Sequence, residues 1–235
     1  MAIDLERLVR YPMAGDDWAK TLLVGGLLTA LSVLIVPAIL LYGYLLRVLR
    51  DGMVEGTAPP AFDDWWTLLR DGVVAVLLVL VYQFVPLLVA ALTVGGAVLA
   101  LLTGSEIGVG VGLFGLLAGL ALSAVLALAF GYVTPIGIAN YAREGTVGAA
   151  FDVAVLRAVA LDGAYAVPWL YGVALLLAAS VVAGLLGFVP VVGVFVGFYA
   201  QVAAAWVWGK GFADAMGPDE SVADFERGAD STSTT

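Results

Sequence analysis

Between Asp71 and Arg143 the chain carries a single charged residue, Glu106. No other feature constrains the fold as much. Residues 108–132 within that interval read GVGVGLFGLLAGLALSAVLALAFGY. About 25 uncharged residues suffice to cross a ~30 Å hydrocarbon core as a helix. Lipid offers no hydrogen bonds to exposed backbone, so such a run must satisfy its own N–H and C=O groups. The rest of the chain agrees: 63% of residues are hydrophobic and only 12% charged, where soluble domains carry roughly a quarter. The prediction is an all-α, polytopic transmembrane helix bundle. It has about five membrane segments, with amphipathic helices at the interface.

The segments fall at residues 21–49, 72–102, 108–132, 163–186 and 191–208. Together they make one integral membrane domain over residues 1–212. Residues 213–235 form an acidic tail ending in STSTT, with the composition of a disordered segment. Three stretches read as amphipathic and interfacial. At the start, Ile3, Leu5, Leu8 and Val9 share one side of a short helix stopped by Tyr11-Pro12. AFDDWWTLLRDG sets Trp65, Trp66, Leu68 and Leu69 against lipid and Arg70 at the headgroups. In 143–162, Phe151, Val155 and Ala158 line one side. Asp16-Asp17 and Asp63-Asp64 each precede an apolar run and are read as helix caps. GFVP at 187–190 is read as an uncharged turn.

Lipid provides little hydrophobic drive between helices, so close van der Waals approach must hold them together. Two rows of small residues at four-residue spacing would allow it. One is Gly115, Gly119, Ser123, Ala127 and Gly131; the other is Gly193, Gly197, Gln201, Ala205 and Gly209. The helices bearing them are expected at the packed centre, with Gln201 facing Ser123.

The segment at 21–49 leaves two readings open. Gly25-Gly26 and Pro37 interrupt it, so it is either one kinked span or two half-length pieces joined at Val36-Pro37. Under five spans, Arg47, Arg50, Arg70, Arg143, Arg157, Lys210 and Arg227 fall on one side. Loops 103–107 and 187–190 on the other side have no Lys or Arg. The positive-inside rule makes the basic side, with the C-terminus, cytoplasmic. Arg7, Arg10 and Lys20 would then lie outside. A re-entrant hairpin brings all ten basic residues inside. Five plain spans are preferred here, because a hairpin needs short helices and a turn whose backbone finds partners within the membrane.

The chain has no Cys and no His, and a net charge of −9. Disulfides, thiol nucleophiles, Cys/His zinc sites and Ser-His-Asp catalysis are excluded. Acidity disfavours nucleic acid as a partner, and no cofactor motif occurs; GVGVG inside an apolar run is packing, not a phosphate cradle. The acidic, Lys-poor composition is that of a salt-loving archaeon. Acids precede the first apolar run, so a cleaved signal peptide is not expected.

Candidates for polar lining are Gln83, Glu106 and Asn140. Gln83, three residues before Pro86, is read first as an interhelical hydrogen-bonding residue. Glu106 is a loop acid in TGSEIG, and Asn140 is solvated near a span end. Prolines at 37, 86, 135 and 168 are a hint of bends that could enclose a cavity. DDWAKTLLVGG from Asp16 and DDWWTLLRDG from Asp63 echo each other, as does AFD at 61–63 and 150–152. The echo suggests duplication or merely a shared helix vocabulary.

Tyr11-Pro12, Asp16-Asp17-Trp18, Gly25-Gly26, Gly43-Tyr44, Phe62-Asp63-Asp64-Trp65 and Pro190 through Gly193 carry a family resemblance. Over roughly residues 5–212 the chain resembles an uncharacterised, archaeal, halophile-type multi-pass membrane family, domain of unknown function 4013. The resemblance implies a membrane fold and brings no catalytic residue to carry over. The functional expectation is a non-enzymatic membrane scaffold or partner-binding component. Its partners are membrane lipids and a second copy or another membrane protein. A transporter or lipid-handling protein for a neutral or amphiphilic substrate ranks second, and an enzyme last.

Overall fold

The computed structural model describes residues 5–186 and 190–217. Most of the 187–190 turn, and the tail beyond 217, lie outside the described residues. The elements are α1 (Leu5–Arg10), a 3-10 turn (Tyr11–Met13), α2 (Trp18–Ala30), α3 (Ile35–Met53), α4 (Trp65–Leu102) and α5 (Glu106–Glu144). A second 3-10 turn (Val147–Phe151), α6 (Val153–Ala160), α7 (Gly163–Leu185) and α8 (Pro190–Met216) follow. No strand occurs among the described residues. The expected all-α class is observed. Helices α4, α5, α7 and α8 are long and apolar enough to cross a membrane.

The preferred single span over 21–49 is instead a helical hairpin, α2 and α3. Its break is at 31–34, not at Val36-Pro37. Pro37 sits in the first turn of α3, where a missing N–H breaks no intrahelical bond. The turn satisfies much of its own backbone: Leu31 N–H donates to Leu27 O (3.0 Å) and Leu34 N–H to Leu31 O (2.8 Å). That answers the objection to a hairpin. Its tip is apolar and exposed, with Val33 91% and Ile35 77% accessible.

The chain divides into two compact units, one made of residues up to Ala75 and from Ile136 onward, the other Val76–Pro135. In the first, α8 is the hub, touching α7, α3, α2, α6 and α1. Gly25 and Gly26 of α2 receive the rings of Phe198 and Phe195, so α2 runs antiparallel to α8. Helix α3 then returns alongside α8, with Tyr44 beside Phe198 (ring centroids 5.8 Å) and Leu49 beside Gly209. The Tyr44 ring stacks on Phe62 at 3.9 Å.

Two crossings bring backbones together. A Cβ on Gly43 would lie 2.0 Å from Leu68 O of α4, and one on Gly72 of α4 would lie 1.9 Å from Ile39 O of α3. A Cβ on Gly52 would lie 2.1 Å from Trp206 O of α8, and one on Gly209 would lie 2.0 Å from Leu49 O. Each crossing therefore uses a glycine from both helices, and α3 is held between α4 and α8 by four missing side chains.

The second unit is the helical hairpin made by the later part of α4 and most of α5. Gly119 packs on Thr93, and Gly112 on Leu101 and Ala97. Only 6% of the most apolar window of α5 is buried, against 44% in α8. Within this unit the stretch 108–132 leaves Val111, Phe114, Leu117, Leu120 and Val125 exposed.

Local expectations divide. The short α1 ends at Tyr11-Pro12 as anticipated, with Leu8 buried. Val153–Ala160 is a short amphipathic helix whose start Asp152 caps, accepting from Ala154 N (2.9 Å) and Val155 N (3.3 Å). The separate interfacial helix expected around Trp65 is instead the first turns of α4, which runs unbroken through Gly72 and Pro86. Its Leu68 is fully buried, not in lipid. Asp64 caps α4 by accepting from Thr67 N (3.2 Å). Asp17 makes no side-chain cap bond to α2. Pro86, Pro135 and Pro168 all lie inside continuous helices.

Candidate functional site

The first unit has a charged end. It gathers α1, the C-terminal turns of α3, the α3–α4 connector and the last turns of α8. Glu55, at the head of the connector, adopts a left-handed φ of 52°. Its carboxylate accepts from Arg7 Nη1 (3.1 Å) and from Lys210 Nζ (2.7 Å). Those two hydrogen-bonded cations, Lys210 foremost, hold the Glu55 carboxyl below its ordinary range. Arg7 also lies over the Trp206 ring, 5.3 Å from its centroid. Trp206 Nε1 donates to Gly56 O (3.1 Å), and Tyr11 OH donates to Asp51 Oδ2 (2.7 Å). Burial, reinforced by that carboxylate, pushes the Tyr11 phenol far above its usual value. Tyr199 OH donates to Val9 O.

These contacts fix a topological fact. The chain's first helix and the last turns of α8 lie at the same end of the unit. Arg7 meets both Glu55 and Trp206, and Lys210 meets Glu55. Two further arginines tie α3 to its surroundings here. Arg47 donates from Nη1 to Asp63 Oδ1 (2.7 Å), and Arg50 from Nη1 to Asp71 Oδ2 (2.5 Å). The C-termini of α3, α5 and α8 frame a half-open cleft of about 380 Å³ at this end, with Arg50 and Arg143 on its walls.

The residues singled out from sequence are distributed as follows. Of the first row, Gly119 lies against Thr93 and Gly115 against Ala97, while Ala127 is exposed and a Cβ on Gly131 would meet nothing. Ser123 Oγ is buried without a hydrogen-bond partner. In the second row, Gly193 packs on Ala183 of α7, Gly209 on α3, and Ala205 is buried. A Cβ on Gly197 would meet nothing. Gln201 does not pair with Ser123; its Nε2 donates to Gly197 O of its own helix (3.3 Å). Gln83 Oε1 is buried and unpaired. Glu106 is exposed in the first turn of α5. Asn140 is not solvated: it is 2% accessible, and its Nδ2 donates to Ala149 O (2.8 Å).

Sequence reasoning missed Gly43, Gly52 and Gly72 as packing residues, together with the Glu55 and Asp71 ion pairs. Gly43 and Gly72 were visible within quoted motifs, but nothing in the motifs tells which backbone each would touch. Among the described residues no group of three or more Asp, Glu, His or Cys is placed to hold a metal ion.

Four apolar helices of spanning length on a helical bundle with one charged end define a class compatible with a polytopic membrane protein. The chain belongs to the family described as "Protein of unknown function (DUF4013)", which matches residues 27–188. No curated protein and no solved structure matches the chain.

Proposed function

We propose that the protein is an integral membrane component that acts as a scaffold or partner-binding element and performs no chemistry of its own. The observation that carries this reading is the Val76–Pro135 hairpin. Its helices meet along a narrow small-residue face and leave Phe84, Leu87, Leu92, Phe114, Leu117 and Val125 exposed. So much apolar surface on a hairpin whose single charge is Glu106 suits lipid or the helices of a partner. The test is cross-linking in native membranes. The chain lacks Cys, so Leu117→Cys and Val125→Cys variants report on α5 alone. A discrete cross-linked species is expected. A monomer with no protein adduct at either position would remove the scaffold reading and leave lipid handling, which the α2–α3 hairpin favours.

The charged end is assigned to the cytoplasm by the excess of Lys and Arg there. With Arg7 and Lys210 sharing Glu55, the N-terminal helix and the end of α8 go to that side together. Labelling single cysteines from outside intact cells tests this. Ser105→Cys should label while Met13→Cys and Ser231→Cys do not. Labelling at 13 would refute the common side. The net charge of −9 supports a high-salt origin, for which the thermal stability of the protein should rise with molar KCl.

A further inference from the structure

We infer that the cleft between the C-termini of α3, α5 and α8 is a binding site for the phosphate headgroup of an anionic phospholipid. Arg50 and Arg143 supply the charge. Met53, Val54, Phe212 and Met216 supply apolar wall. The inference concerns this end of the molecule and does not depend on whether the protein acts as a scaffold.

Each of the two guanidiniums keeps an N–H edge after its bonds within the protein. Arg50 uses Nη1 on Asp71 Oδ2 (2.5 Å) and Nε on Ala142 O (3.3 Å). Those bonds lock its plane and leave Nη2 without a partner among the described residues. Arg143 spends Nε and Nη2 on a single oxygen of Glu144, its own neighbour (3.0 and 2.9 Å), leaving Nη1. Its guanidinium is further held 5.8 Å from the Phe212 ring centroid. Both side chains are about one third exposed, 35% and 34%, so solvent or a headgroup reaches them. A planar, positioned guanidinium with a free N–H edge is the group best suited to phosphate oxygens.

The remaining lining decides between a soluble anion and an amphiphile. A site for free phosphate is polar all round, whereas here everything beyond the arginines is apolar apart from main chain. Two of the six apolar side chains are methionines, which adapt to irregular occupants. The volume of about 380 Å³ is at the small end for organic ligands and suits a headgroup with the start of its glycerol. The position agrees as well. Apolar α5 and α8 give way to charge at this level, where a lipid presents its phosphate with its chains beside the helices.

The full chain in detergent micelles, titrated with phosphatidylglycerol or phosphatidylcholine and read by native mass spectrometry, tests the site. Phosphatidylglycerol should bind more tightly. Arg143→Gln should weaken it about fivefold, the worth of one basic contact at a membrane surface. Arg157→Gln, on the exposed face of α6, should not. Met216→Asp disturbs no ion pair and should weaken binding by opposing charge, so the inference survives a misfolded arginine variant. Equal affinity for the two lipids, or no loss in both Arg143→Gln and Met216→Asp, would overturn the site. Displacement of phosphatidylglycerol by millimolar inorganic phosphate would overturn the lipid as its occupant.

Discussion

Gly209→Ala adds one methyl group, and the α3–α8 crossing has no room for it. The new Cβ would lie 2.0 Å from Leu49 O and 2.9 Å from Leu49 C. Both are backbone atoms, so no rotamer change relieves the clash. Ordinary contact distance requires the helices to part by about 1.4 Å, and a gap of that size forfeits half or more of the dispersion energy of atoms facing across it. Overpacking in a rigid core costs about 1–3 kcal/mol, and a backbone-to-backbone clash belongs near the top of that range. Gly197→Ala is the control. It lies on the same helix with nothing within 4 Å, so it registers only the gain in helix propensity, about 1 kcal/mol. Thermal unfolding of detergent-solubilised protein, followed by size-exclusion chromatography, should rank Gly197→Ala at or above wild type and Gly209→Ala well below. Gly52→Ala meets Trp206 O at 2.1 Å at the same crossing. The double variant should therefore cost less than the sum of the two, because helices already parted accept the second methyl cheaply. A Gly209→Ala protein as stable as Gly197→Ala would refute the claim that backbone contact holds α3 to α8.

Three further outcomes follow from the same geometry. Glu55 has its carboxyl held low in the folded state, so its contribution is present above its ordinary value and is lost as pH falls through the folded one. Glu55 is 48% exposed, which limits the gain to about 1 kcal/mol; the melting difference between wild type and Glu55→Gln should be visible at pH 7 and vanish in acid, and a pH-independent difference would refute the linkage. Asn140→Leu removes one of two bonds to Ala149 O, which keeps the donor Asp152 N (3.1 Å), and should destabilise by about 0.5–1.5 kcal/mol, read as a lower unfolding midpoint. Pro37→Ala should change the midpoint by less than about 1 kcal/mol, since a first-turn proline interrupts no hydrogen bond; a large loss would mean the proline enforces the α2–α3 turn.

The sequence alone determined the class. One charge in the whole interval between Asp71 and Arg143 leaves a chain little choice but long apolar helices, because only those satisfy the backbone without water. A helix start was legible at Asp63-Asp64, where Asp64 accepts from Thr67 N, and misread at Asp17, whose side chain makes no cap bond. What only the tertiary structure decided is which surfaces meet. In a soluble helix polarity marks the outward face, but helices apolar all round carry no such mark, so a row of small residues shows that close approach is available and not where it is used. Gly209 is used against Leu49, Gly197 against nothing, and Gly43, Gly52 and Gly72 hold α3 without forming any row. The hairpin at 31–34 was equally hidden. A kinked span and two short helices have the same composition, and the difference is settled by Phe195 and Phe198 of α8, which fit the two glycines of α2 only when that helix runs antiparallel to α8. That one packing choice carries α1 and its arginines to the same end as Lys210, because the first helix must follow wherever α2 begins.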